Sequence, residues 1–485
     1  MARAISKVMF VASEVSPLAK TGGLGDVLGS LPPALARLGL NVTLVLPAYQ
    51  QINKQNFTRL DLGPLYAWSA LDWEIEVWQG ILGGCTVYLL GNPILFDRPG
   101  LYSDHNGDFG DNLARFSFFC RAVIALSKAL ELNPQILHVH DWQTALLPAI
   151  LSTGATAPSP LDNAATVLTI HNLAYQGIFP YKDFFLTGLH QEFNNINGIE
   201  YWGNISLLKA GLLTSHAITT VSPSYAQEIK TSQFGYGMEG ILADRQDDLY
   251  GILNGVDYAV WSPEHDPWLP AAFSADNLQP KKTSSQRLLK IAGLPPVDKQ
   301  PILGMVGRLT YQKGLDILVP ALDTVLSEQD IRVIILGTGE PHYEHMMQAM
   351  TGRHPNKICL LNEFSEEVAH LIQAGSDMLL MPSIYEPCGL SQLYALRYGT
   401  IPIVRNTGGL HDTVHNYSPD TRSSRQGTGF AFDDYSPENF LNALRQALKV
   451  YKNGKIWQAM MRRAMKQDFS WQKSAYGYLA LYNSL

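Results

Sequence analysis

Short apolar, β-branched runs alternate with stretches whose apolar residues recur every three or four positions, and the rhythm starts twice. In the first half the runs fall at 7–13, 41–46, 85–90, 136–140, 165–170, 216–221 and 250–253, with helical patterns at 26–38, 111–132 and 142–152 among them. The second half restarts with "ILGMVG" at 302–307, "RVIILG" at 332–337, "KICLLN" at 357–362, "MLLMPS" at 378–383 and "IPIVR" at 401–405. Helical patterns at 314–327, 341–350, 365–374 and 389–398 separate them. Strands this apolar must be covered on both faces, as in parallel sheets flanked by helices. Between the two series lies 255–300, rich in Pro, Ser and Asp ("WSPEHDPWLPAAF") and poor in periodicity, which reads as a domain boundary. The chain is therefore expected to form two doubly wound α/β domains, 1–254 and 255–469, with the helical, aromatic stretch 470–485 packing back on the first. A length of 485 residues agrees, since one core does not serve a chain of that size. Ligands of such sheets bind beyond the carboxyl ends of the strands, where strand order reverses, so the expected site is a cleft between the domains.

Composition narrows the classes of function. A net charge of −7 gives no support to nucleic-acid binding, which needs a basic face. Cys85, Cys120, Cys359 and Cys388 are scattered without a C-x-x-C pair, so they suggest reduced thiols in a cytoplasmic compartment, not a disulfide framework or a zinc site. "VMFVAS" is too short for a signal peptide, and no apolar run approaches the ~18–20 residues that span a bilayer. The expected protein has no membrane partner and no nucleic-acid partner.

Three turns carry the chemistry. "LAKTGGLGDVLGS" at 18–30 follows a strand and opens a helix, an arrangement that offers backbone N–H groups to a phosphate. Its G-G-x-G spacing is neither the dinucleotide fingerprint nor a P-loop, because Lys20 precedes the glycines. "GMVGRLTYQKGLD" places Arg308 and Lys313 between a strand and a helix, and "GTGEP" at 337–341 is another strand-end turn. "PSIYEPCGLSQLYAL" places Glu386 after a strand, with Gly389 and Leu390 opening a helix. Two cations and a helix start suit a diphosphate and require no metal or other cofactor. His138 and His140, two residues apart on a strand, are expected to be core histidines rather than metal ligands. Asp26 is expected to cap the helix after the glycine turn.

The ordered series "KTGGLGDV", "HVHDW", "TIHNLAYQG", "GILNGVD", "GRLTYQKG", "EPCGLSQLYAL" and "NTGGLHDTV" resembles the motifs of bacterial glycogen synthases and plant-type starch synthases. The matches run from residue 7 to about 470. The resemblance implies the glycosyltransferase B arrangement, with two Rossmann-like domains around a deep cleft. It implies a retaining glucosyltransferase that moves glucose from ADP-glucose to the non-reducing 4-OH of an α-1,4-glucan or maltooligosaccharide and releases ADP. It assigns Glu386, His171, Lys20, Arg308 and Lys313 to the reacting centre. Gly22, Gly23, Asn254, Phe364, Gly389, Leu390 and Ser391 go to the donor, and Tyr102, Asp141 and Asn172 to the acceptor. Arg308 and Lys313 would neutralise the departing diphosphate, Glu386 would meet the glucosyl ring, and Phe364 would stack on adenine. Asn112 and Arg115 share the segment of Tyr102 and are weaker carry-overs, and Cys388 reads equally as packing. Tyr394 stands where many retaining relatives have a second Glu, Ile384 where many have Arg, and Gly307 where many have Ser. Two competing readings remain: a related retaining transferase using UDP-glucose, and a catalytically silent glucan-binding or priming protein. The latter would be expected to lack Lys20, Arg308, Lys313 or Glu386, and all four are present.

Overall fold

The computed structural model describes residues 5–67, 73–105, 107–363, 365–418 and 426–485. The chain divides into two compact units, Met1–Gly255 with Trp471–Leu485, and Val256–Ser470.

Among the described residues the first unit is built on a nine-stranded sheet. Its spatial order is Leu249–Gly251, Ala217–Thr220, Ala165–Ile170, Ile136–His140, Lys7–Val11, Asn41–Pro47, Cys85–Gly91, Glu76–Leu82 and Thr58–Arg59. The first seven are mutually parallel, and the last two add antiparallel. From Lys7–Val11 the chain builds outwards through Asn41–Pro47 to Cys85–Gly91, then crosses back to lay Ile136–His140 against its first strand. The gap beyond Val11 and His140 is thus the switch point of this sheet. The antiparallel strand Glu76–Leu82 escapes a search for continuous apolar runs because its alternate residues face solvent. Trp471–Ser484 is a helix that packs on Gly23–Arg37, and its buried Tyr482 hydroxyl lies 2.7 Å from His138 Nδ1.

Among the described residues the second unit carries a six-stranded, wholly parallel sheet in the order Ile358–Leu361, Arg332–Leu336, Ile302–Val306, Met378–Met381, Ile401–Arg405 and Phe430–Phe432. Successive side chains of a strand point to opposite faces. Leu303, Met305, Val333 and Ile335 accordingly join one core cluster with Leu318 and Leu322, while Ile302, Ile334 and Leu336 join another with Leu371 and Ile372. The switch point lies between Ile302–Val306 and Met378–Met381.

Residues 256–300 are bound firmly to this second unit. Trp261 is sandwiched between His370 and Tyr394, at 3.7 and 3.9 Å between ring centroids. Asp266 accepts hydrogen bonds from His370 Nδ1 at 2.7 Å and from the Tyr398 hydroxyl. The segment also contains a helix, Lys281–Ile291, whose buried Lys281 ammonium donates to the Ala374 and Tyr398 carbonyls and to Thr400 Oγ1. Burial pushes that ammonium below the usual lysine range. These contacts join residues about a hundred positions apart, which is why a composition-based reading saw only a boundary. Among the described residues no helix is long and apolar enough to cross a membrane.

Candidate active site

At the switch point of the first unit, the glycine turn is organised around a residue that sequence reasoning passed over. Glu14 leaves the end of the first strand and is 3% exposed. Its Oε2 accepts the Thr21 N–H at 2.7 Å and the Gly22 N–H at 3.2 Å. Its Oε1 accepts the Thr21 hydroxyl at 2.7 Å and the Tyr102 hydroxyl at 2.8 Å. The Gly22 N–H is therefore taken by the chain's own carboxylate, which corrects its reading as a free phosphate donor. Gly23 opens the helix Gly23–Arg37, whose N-cap is Gly22. Asp26 does not cap that helix: it lies in the first turn, where Oδ1 pairs with Lys20 Nζ at 2.6 Å. An acidic side chain in a first turn is favoured there by the helix dipole without capping it, and it also draws in the cation.

Across the same switch point stand the histidines. His138 is a core residue, with its ring nitrogens 2.7 Å from the Tyr482 hydroxyl and 2.6 Å from Thr169 Oγ1. His140, equally buried, differs from that expectation by reaching the candidate site: its Nδ1 lies 3.1 Å from His171 Nε2. Burial lowers His140 well below the usual imidazole range and His171 to about 3, so both rings are neutral at pH 7. Neutral His171 can therefore donate or accept a hydrogen bond without bringing positive charge. The His171 N–H donates to Asp141 Oδ1 at 2.7 Å, and the Asn172 N–H also bonds this carboxylate. Burial raises Asp141 to about 7 against the opposing pull of those N–H groups. Asp141 has φ +54°, an uncommon left-handed conformation for a residue with a side chain, at the point where the strand ends. Asn172 Oδ1 accepts the Ala174 N–H. Arg115 is fully buried: Nε donates to the Leu95 carbonyl and Nη1 to the Leu101 carbonyl and Asn112 Oδ1, while Nη2 has no hydrogen-bond partner among the described residues. Asn254, beyond the strand Leu249–Gly251, is buried, with no hydrogen-bond partner for Oδ1 among the described residues.

The switch point of the second unit brings together residues 73 apart in sequence. Lys313 Nζ donates to Glu386 Oε2 at 2.7 Å, and Ser383 Oγ donates to the same oxygen at 2.9 Å. Glu386 is 6% exposed, and a carboxylate so buried requires such partners. Arg308 is exposed and forms no ion pair among the described residues. Glycines permit this convergence. Gly314 has φ +70°, and a Cβ there would come 2.1 Å from the Pro382 carbonyl. A Cβ on Gly408 would come 2.1 Å from the Glu386 carbonyl, which accepts the Gly409 N–H at 3.0 Å. Gly389 also has positive φ, +71°. The helix expected at 389–398 runs Ser391–Arg397 with Leu390 as N-cap, so the first N–H groups of this turn have no intrahelical acceptor. Gln392, unread in the sequence, fastens the turn by donating to the Cys388 and Gly389 carbonyls and lies 3.2 Å from Thr413 Oγ1. A Cβ on Gly307 would come 3.7 Å from the Lys313 stem, and the Ile384 N–H donates to the Gln312 carbonyl. Cys388 is buried, and Tyr394 stacks on Trp261. Phe364 lies outside the described residues. Among the described residues no group of three or more His, Cys, Asp or Glu side chains could hold a metal ion.

Comparison with known proteins bears on this arrangement. Residues 7–244 match the family "Starch synthase catalytic domain", and residues 287–466 match "Glycosyl transferases group 1". The chain is 43% identical over 477 residues to the glycogen synthase of Syntrophotalea carbinolica, covering 98% of each. It is 44% identical over 483 residues to the glycogen synthase of Anaeromyxobacter sp. (strain Fw109-5), covering 99% of each. Among solved structures it resembles the catalytic domain of starch synthase IV from Arabidopsis thaliana bound to ADP and acarbose, with TM-score 0.92, 33% identity and 99% of each chain covered. A sucrose-phosphate synthase from Thermosynechococcus elongatus, 16% identical with TM-score 0.61, shares the fold.

Proposed function

This chain belongs to the glycogen synthase and starch synthase family of glucosyltransferases, which elongate glucan, and we propose that its donor is ADP-glucose. Glucose passes to the non-reducing 4-OH of an α-1,4-glucan with retained configuration, and ADP departs. The observation that carries this reading is the grouping of Lys313, Glu386 and Ser383 beside exposed Arg308 at a strand-order reversal. As the bond to ADP breaks, negative charge builds on the β-phosphate, and fixed cations there favour the transition state over the ground state. Lys313 keeps two further N–H donors for the phosphate while bonding Glu386. Glu386 holds the glucosyl hydroxyls, and neutral His171 contacts another. The leaving phosphate oxygen takes the acceptor's proton, so no protein nucleophile is required. Lys20 contacts the donor. Gly23, Asn254, Gly389, Leu390 and Ser391 are assigned to the donor, and Tyr102, Asp141 and Asn172 to the acceptor. ADP in the solved starch synthase IV supports an adenine nucleotide. We place the enzyme in the cytoplasm.

The test is transfer of radiolabelled glucose to a maltooligosaccharide from ADP-glucose and, separately, from UDP-glucose. Faster transfer from ADP-glucose is expected. Preference for UDP-glucose overturns the donor assignment, and no transfer from either overturns the catalytic reading in favour of a glucan-binding or priming protein.

A further inference from the structure

The glycine turn at 20–25 offers two consecutive N–H groups to an anion, and the chain fills that place itself. Both oxygens of Glu14 are occupied, by the Thr21 and Gly22 N–H groups on one side and the Thr21 and Tyr102 hydroxyls on the other. An ionised carboxylate only accepts, so Tyr102 donates its single proton to Glu14, and Ser13, 2.7 Å away, donates to Tyr102. With four donors around it and 3% exposure, Glu14 has no access to a substrate. Its neighbour Val15 exchanges two backbone hydrogen bonds with Ala19, each 2.9 Å. Glu14 and Val15 therefore hold the residues on both sides of Lys20, Thr21 and Ala19. The helix behind completes the clamp: a Cβ on Gly25 would come 3.0 Å from the Lys20 stem, and the Gly25 carbonyl accepts the Ser16 N–H at 2.9 Å.

From this geometry we infer that Glu14 is a positioning residue for Lys20: a built-in anion that occupies the turn's N–H groups and fixes the lysine backbone. The inference rests on the transferase reading, in which Lys20 meets the donor. It assigns the turn a structural anion rather than the donor's phosphate, so donor phosphate is left to the second unit. Holding a charged group in place before reaction removes a reorganisation cost from the chemical step.

A double-mutant cycle between Glu14 and Lys20 tests this, read as turnover on maltooligosaccharide at saturating donor, with thermal melting recorded for each variant. Glu14→Ala should lower kcat at least thirtyfold while changing ADP affinity less than threefold. In a Lys20→Gln background the same change should cost less than a further threefold, because the lysine it positions is gone. Glu14→Gln should stay within tenfold of wild type, since its carbonyl can face the two N–H groups and its amide the two hydroxyl oxygens. Formate should restore part of the Glu14→Ala loss by refilling the same place. If Glu14→Ala does not fold, Thr21→Val carries the cycle, removing one arm for an expected tenfold loss that vanishes beside Lys20→Gln. Losses that multiply in the cycle, or a folded Glu14→Ala within threefold of wild type, overturn the role. A wild type inert towards ADP-glucose defeats the donor assignment instead, and the cycle with whichever nucleotide sugar turns over still decides Glu14.

Discussion

In each unit the chain begins at a central strand, pairs two further strands in parallel on one side, and crosses back to set its fourth parallel-paired strand against the first. The loops over the two reversals hold different things. In the first unit, Glu14 fills the glycine turn, Lys20 is paired with Asp26, and Asp141 ties down the His171 backbone beside neutral imidazoles. In the second, exposed Arg308 shares its strand-end turn with Lys313, which pairs with Glu386, and the helix start at Leu390 has no side-chain cap. Two copies of one topology thus make one reversal already satisfied by its own anion and another with cationic capacity in reserve. Topology supplies the place, and the side chains decide whether a ligand or the chain itself occupies it.

The largest expected effect lies in the second unit. Glu386→Gln should keep the fold and ADP binding but lower turnover by about 10²–10³-fold, the range of one preorganised polar contact. Steady-state rates beside ADP calorimetry check this, and near-normal turnover in the folded variant would remove Glu386 from the site. The glycines sharpen the contrast next. Gly314→Ala should cost about 1–3 kcal/mol from backbone strain, with the clash at Pro382 added, as a lowered urea midpoint. Gly22→Ala should be nearly neutral to stability, because Gly22 is extended and an added Cβ meets nothing within 4 Å. Equal costs at the two glycines would erase the difference between the turns.

A smaller effect follows pH. Asp141, raised to about 7 from 3.8, keeps in the folded state a proton that the unfolded chain releases, so its contribution to stability falls as pH rises from about 4 to 7. The buried histidines work in the opposite sense, losing stability as pH drops below 6.5, because only the unfolded chain takes up their protons. Asp141→Asn removes the first trend alone. Its stability relative to wild type should improve by about 1 kcal/mol across pH 4.5–7.5, allowing for solvent screening of a partly exposed side chain. A pH-independent difference in urea midpoints contradicts this.

Strand and helix rhythm was legible because parallel strands are apolar throughout, and the turns of Lys20, Arg308 and Glu386 carry distinctive residue types. What stayed hidden depends on distance in the chain. Glu14 is an ordinary carboxylate until folding brings the Tyr102 hydroxyl to it from 88 positions away. Asp26 read as a cap because its residue type favours caps, yet a neighbouring ammonium won it. His140 read as core from its place on a buried strand, and only the adjoining strand's end shows that it touches His171.

Calorimetry of ADP with Lys20→Gln and Lys313→Gln tests the central claim, that the second reversal is the phosphate site and the first is already filled. Lys313→Gln should weaken ADP about 10–100-fold, matching roughly 1.5–3 kcal/mol for a charged hydrogen bond, while Lys20→Gln should weaken it by less than about tenfold. Loss of ADP binding in Lys20→Gln with normal affinity in Lys313→Gln would make the glycine turn the phosphate cradle and contradict the account.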